Sequence, residues 1–253
     1  GTKDILKKVS FTIKPGEKIA LVGKNGAGKS TLVKLLARIY DPTEGDIFVN
    51  GVNLKDVDPN EWSSSLGILL QDYLSYDFTV EDSISMGGAD KEIDKEKVEK
   101  AADVSDAKEF ISEFKDGFGQ QLGRDFENGT ELSKGQQQKM ALARIIYRDG
   151  LVTILDEPTA SIDALAEEYI FNQMIKASTG KTLLVITHRF NTTQNLNRII
   201  VLSDGRLVES GSHEELLIKN GEYAEMYESQ AKAFREKRQE ELEEVFEEVE
   251  EVA

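Results

Sequence analysis

The 253-residue chain has no cysteine, so neither a disulfide framework nor a thiolate metal site is open to it. No apolar run approaches the ~20 residues that span a bilayer, and no charged-then-apolar leader precedes the first strand-like stretch. The polypeptide is therefore expected to be soluble, with docking on a membrane protein left open. Basic residues are in deficit. The 31 Lys and Arg against 47 Asp and Glu leave a formal charge of −16, which argues against broad binding to nucleic acid or anionic lipid. Histidines number two, His188 and His213. There is no internal repeat. The composition that remains, 39% hydrophobic and 31% charged, suits one globular domain with a sizeable core.

The most informative stretch lies near the start. A strand-like run, Lys18-Ile19-Ala20-Leu21-Val22, leads directly into Gly23-Lys24-Asn25-Gly26-Ala27-Gly28-Lys29-Ser30-Thr31, which contains the G-x-x-x-x-G-K-[ST] pattern of a phosphate loop. A helix is expected from Thr31 to Tyr40, with Leu32, Leu35, Leu36 and Ile39 on one face. Loop N–H groups and the helix N-terminus then converge on one spot. Such a spot holds a polyphosphate, with Lys29 reaching the β- and γ-phosphates and the Ser30 hydroxyl binding Mg²⁺.

Further strands are expected at Asp46–Val49, Leu66–Leu70, Leu151–Leu155, Thr182–Thr187 and Arg198–Leu202. Several are continuous apolar runs separated by helical segments, the pattern of a parallel sheet covered on both faces. Asn50-Gly51 and Asp204-Gly205 each sit between short strand-like runs and read as antiparallel hairpin turns. Between about Asp72 and Tyr147 the sequence is mainly helical and polar, with Glu92–Ala102 and Gln136–Arg148 the clearest helices. The expected fold is α/β: a phosphate-loop core with a mostly parallel sheet, an antiparallel β part at the N-terminal side and an inserted helical subdomain, about 72–147. Ser212-His213-Glu214-Glu215 is a capping box that starts a short helix, so His213 is expected at the surface. From Glu236 to Glu251 acids dominate, with Leu242, Val245, Phe246 and Val249 at helical spacing, so 231–253 reads as an acidic helical tail after a domain of 1–230.

Asp156 and Glu157 close the run Leu151–Leu155, where ligands sit in open α/β sheets. Asp156 suits the holding of Mg²⁺, and Glu157 the orientation of an attacking water. Leu132-Ser133-Lys134-Gly135-Gln136-Gln137-Gln138 comes next. With the phosphate loop, Gln71, Asp156-Glu157-Pro158-Thr159, Ser161-Ile162-Asp163 and Thr187-His188-Arg189, it resembles the ATP-binding cassette of ABC transporters, over Ile5 to about Gln230.

The resemblance implies the rest. ATP and Mg²⁺ are the expected ligands, and the activity is ATP hydrolysis that powers transport. Gln71 would bind Mg²⁺ and the water, and His188 would contact the γ-phosphate. Ser133, Gly135 and Gln136 would reach the γ-phosphate held by a second nucleotide-binding domain, and Asp163 would cross that interface, its alternative role being a helix N-cap. Lys134 departs from the usual LSGGQ signature and puts the efficiency of that trans contact in question. Asp77–Ile84 resembles the segment that receives a coupling helix, with Tyr73, Tyr76 and Phe78 as an apolar socket or as core. Gly123–Gly129 and Ser203–Leu216 resemble the exporter subfamily, implying the cytoplasmic face of the cell membrane and a transmembrane-domain partner. Nucleic acid is not expected. The adenine-stacking aromatic residue of the family would precede Ile5-Leu6, which implies an N-terminally truncated cassette. A soluble ABC-type ATPase and a degenerate regulatory cassette are the alternatives. The short span from Lys29 to Ser133, the single cassette and the acidic charge count against the first; the presence of Glu157 and His188 counts against the second.

Overall fold

The computed structural model describes residues 4–71, 73–88, 92–158 and 164–232. Among the described residues eight strands alternate with helices, including α2 (Pro59–Ser65) before the fourth strand: β1 (Lys18–Val22), β2 (Phe48–Val49), β3 (Val52–Asn53), β4 (Leu66–Leu69), β5 (Val152–Asp156), β6 (Thr182–Ile186), β7 (Arg198–Ser203) and β8 (Arg206–Gly211). Six form one sheet in the order β4-β5-β6-β1-β7-β8. The first five are parallel and β8 returns antiparallel to β7. The turn between them is Asp204-Gly205, both residues at positive φ, as the primed hairpin turn requires. β2 and β3 pair antiparallel across Asn50-Gly51 as a separate small sheet.

Alternation along the parallel strands feeds two cores. In β1, Ile19 and Leu21 face one side with Ile154, Leu184, Ile186, Ile200 and α1 (Lys29–Leu36). Ala20 and Val22 face the other, with Leu155, Leu183, Val185, Ile199 and α7 (Ala164–Ala177). Burial on both faces explains why these strands read as unbroken apolar runs. β5 starts one residue later than expected, because Leu151 lies beyond the covered sheet and is 67% exposed. α1 is also shorter than its pattern suggested. It stops at Leu36, Arg38 turns to φ 55, Ile39 is half exposed, and Val33 takes the buried position instead.

Between β4 and β5 the chain is helical and has a core of its own, built on Val80, Ile84, Val98, Ile111, Met140 and Tyr147. Side-chain caps start three of these helices, while α5 (Lys108–Ser112) has none. Thr79 caps α3 (Val80–Ser85), Asp94 caps α4 (Lys95–Val104), and Ser133 with Gln136 closes a full capping box on α6 (Lys134–Arg148). α6 serves both cores. Its Ala141 and Leu142 pack on the sheet, while Met140, Ala143 and Tyr147 pack on the helical part. Each large side chain so buried contributes roughly 1.5–3 kcal/mol, which fixes the helical part onto the sheet. Among the described residues no helix is long and apolar enough to cross a membrane.

The capping box Ser212–Glu215 starts α8 (His213–Lys219) as expected, but His213 is not a surface residue. Its ring is half-buried against Tyr223 and Tyr227, and Nδ1 lies 2.7 Å from the Tyr223 hydroxyl. Both tyrosines belong to a further helix, α9 (222–232).

Candidate functional site

Parallel strands end at one edge of the sheet, so the segments that follow β4, β5, β6 and β1 emerge side by side. They carry, in that spatial order, Gln71, then Asp156 and Glu157, then His188, then the loop 23–28.

The loop is shaped by close backbone approach. A Cβ on Gly23 would lie 2.1 Å from the Leu202 carbonyl oxygen of β7. Gly28 opens α1 at φ 103, a left-handed conformation suited to glycine. No side chain caps α1, and no acid lies in its first turn, so its free N–H groups keep their positive end for an anion. Gly26, at φ 79, has open space where a side chain would be. Lys24, Asn25 and Ser30 are exposed around it, Ala27 is buried and Thr31 half-buried. Lys29 is buried, and its ammonium donates to the carbonyls of Gly23 (2.7 Å) and Lys24 (3.2 Å). Burial lowers its pKa, opposed by the carboxylates of Glu157 and then Asp156.

Asp156 ends β5 almost fully buried. Burial raises its pKa, against a hydrogen bond donated by the Ser30 hydroxyl. Glu157 stands at φ 51, a left-handed conformation that costs a non-glycine residue on the order of 1 kcal/mol. Its N–H donates to the Ile186 carbonyl (3.0 Å) and its carbonyl accepts from Gln138 Nε2 of α6 (3.4 Å). Held so, its carboxylate reaches His188: Oε1 lies 3.1 Å from Nε2. Burial and then the Lys29 charge lower the His188 pKa, which favours a neutral ring that donates to Glu157.

Lys29, Ser30, Asp156, Glu157 and His188 thus form one interacting set. Gln71 is exposed at the end of its strand, beside this set in sheet order. Ser133, Gly135 and Gln136 belong to the start of α6, where Ser133 Oγ accepts from Gln136 N–H and Gln136 Oε1 accepts from Ser133 N–H. Lys134 is exposed there, and its carbonyl accepts from the Tyr73 hydroxyl (3.3 Å). Asp163, Asp72 and the tail from 233 onward lie outside the described residues. In the expected socket, Phe78 and Leu74 are exposed, Tyr76 stacks on Phe78, and Tyr73 packs into the main core.

The donor set suits Mg²⁺ with a nucleotide: Ser30 hydroxyl, Asp156 carboxylate and Gln71 amide are hard oxygen donors. Among the described residues no three potential ligands group into a self-sufficient metal site. Mg²⁺ asks for none, since it takes one or two carboxylates and completes its shell with phosphate and water. Two residues that sequence reasoning passed over also touch the site, Gln138 at the Glu157 carbonyl and Gln230 of α9 at the His188 loop. Gln138 lies in the motif run 132–138, but its contact is with a backbone carbonyl, which the run does not mark. Nothing in the sequence marks Gln230, because its partners are backbone atoms.

Residues 6–160 match the family model described as ABC transporter. The chain is 40% identical over 228 residues to the ATP-dependent lipid A-core flippase of Coxiella burnetii, covering 90% of this chain and 38% of that protein. It is 40% identical over 230 residues to the mitochondrial potassium channel ATP-binding subunit of Homo sapiens, covering 90% of this chain and 30% of that one. Among solved structures, a bacterial Atm1-family ABC exporter with ATP bound superposes with a TM-score of 0.83 at 35% identity, over 90% of this chain and 39% of that chain. The chain therefore spans well under half the length of these relatives.

Proposed function

The chain belongs to the ABC transporter family, and from that premise we propose that it is the ATP-binding and ATP-hydrolysing cassette of an exporter. The observation that carries this reading is the convergence of Lys29, Ser30, Asp156, Glu157 and His188 at neighbouring strand ends. Residues 1–230 are the cassette, 72–147 its inserted helical subdomain, and 231–253 the acidic tail. In this reading it works on the cytoplasmic face of a membrane, joined to a transmembrane domain, and its likeness to membrane exporters supports that.

In this reading the N–H groups of 23–31 cradle the triphosphate, and the Lys29 ammonium moves from the Gly23 and Lys24 carbonyls to phosphate oxygens. Ser30 and Asp156 hold Mg²⁺, with Gln71 at its water side. When bound, MgATP supplies the γ-phosphoryl group and a cation that offsets the charge developing on its oxygens. Glu157 accepts a hydrogen bond from the attacking water and orients it in line. His188 donates from Nε2, fixing the Glu157 carboxylate and meeting the γ-phosphate. A second cassette completes the site: its Ser133, Gly135 and Gln136 cap the γ-phosphate, and Asp163 crosses between the two.

The test is Glu157→Gln. It keeps the shape and removes the proton acceptor, so ATP binding by calorimetry is unchanged while turnover falls by about 10²-fold or more. An unchanged rate removes Glu157 from the mechanism.

A further inference from the structure

His188 is held by its backbone more than by its side chain, which is 40% exposed and meets Glu157. The carbonyl of His188 accepts from Gln230 Nε2 at 2.6 Å, and the N–H of Phe190 donates to Gln230 Oε1 at 2.9 Å. One side-chain amide thereby grips both sides of Arg189, using its donor and its acceptor as a neighbouring strand would. Between the two grips, the Arg189 N–H donates to Thr187 Oγ1 at 2.9 Å, which closes the turn.

The helix that delivers Gln230 is itself anchored. Tyr223 N–H donates to the buried Glu209 carboxylate (2.9 Å), and the Tyr223 hydroxyl lies 2.9 Å from Thr193 Oγ1, on the same segment as His188. Phe190 packs edge-on against both Tyr223 (5.3 Å) and Tyr227 (6.2 Å), which stack on each other. Gln230 is one helical turn beyond Tyr227, so a fixed aromatic stack sets the reach of its amide.

We propose that Gln230 is a positioning residue for His188, setting the backbone height at which the imidazole meets Glu157. This rests on the reading that His188 acts in turnover. A shift of about 1 Å in such a group costs up to about 10²-fold in rate, without any contact between the mover and the substrate.

The test compares Gln230→Met, which keeps length and removes both hydrogen bonds, with Gln230→Glu, which keeps the acceptor for Phe190 N–H and loses the donor to His188. Both are made in the full 253-residue chain. In Gln230→Met the expected result is about ten-fold faster hydrogen exchange at the Phe190 amide. Turnover falls about ten-fold while KM for ATP stays within about two-fold. Gln230→Glu keeps slow exchange at Phe190 yet also loses turnover. In a His188→Ala background Gln230→Met causes no further loss, as expected of a residue acting through His188. Unchanged turnover in both variants, or the same fractional loss repeated in the His188→Ala background, overturns the proposal. If His188→Ala alone turns over at the unaltered rate, the catalytic reading of His188 fails and the proposal falls with it. A slow His188→Ala beside a normal Gln230→Met and Gln230→Glu removes Gln230 alone.

Discussion

Tyr223→Phe deletes one oxygen from the hub that joins the His188 segment to α8 and α9. That hydroxyl is fully buried, 2.7 Å from His213 Nδ1 and 2.9 Å from Thr193 Oγ1. Thr193 still donates to the Phe190 carbonyl after the change, so the main loss is the pair of bonds, about 1–2 kcal/mol at pH 8. Burial pushes the Tyr223 pKa up from 10.0 to about 12. A folded-state pKa above the unfolded one gives stability that is complete below pH 10 and is lost as pH rises through 12. At pH 11 the unfolded tyrosine is largely ionised and the folded one largely protonated, a difference of about 1.4 kcal/mol. The advantage of the unaltered chain over Tyr223→Phe therefore shrinks to near zero at pH 11. Urea midpoints of both proteins at pH 8, 10 and 11 measure it, and lysine titrations common to both cancel. A gap that stays constant from pH 8 to 11 refutes the reasoning.

Lys29→Ala removes a buried ammonium whose present partners are two loop carbonyls, so calorimetry is expected to show ATP affinity falling by about 10²-fold or more while the fold survives. Gly23→Ala sets a methyl 2.1 Å from the Leu202 carbonyl oxygen, a backbone atom that cannot swing away, and is expected to cost about 2–3 kcal/mol. Thermal unfolding followed by circular dichroism reads that cost, and an unchanged midpoint contradicts the contact.

Much of the fold was legible because parallel strands buried on both faces leave apolar runs that nothing interrupts, as in Leu183-Leu184-Val185-Ile186. The residues of the site were legible for a different reason: a glycine-rich loop, a lysine and paired acids at strand ends carry their chemistry in their side chains. What stayed hidden depends on tertiary contact. Ile39 continues the apolar spacing of α1, yet the helix ends first, and no local signal outweighs that spacing. His213 looks solvated in its capping box until the chain turns at Asn220, the end of α8, and α9 brings Tyr223 and Tyr227 over it. Gln138 and Gln230 act on backbone atoms, which every residue has and no sequence marks.

β1 lies inside the sheet, and its two neighbours begin at Thr182 and Arg198. A ribosome releases the phosphate loop well before either flanking strand exists. Until residue 203 has emerged, Gly23 to Ser30 has no complete sheet beneath it, and Leu202 is not there to shape its first glycine. Nucleotide therefore cannot help the chain through the first stages of its folding. It acts only once β7 is in place, and a polypeptide stopped short of β7 is expected to carry an intact phosphate-loop sequence with no place to bind.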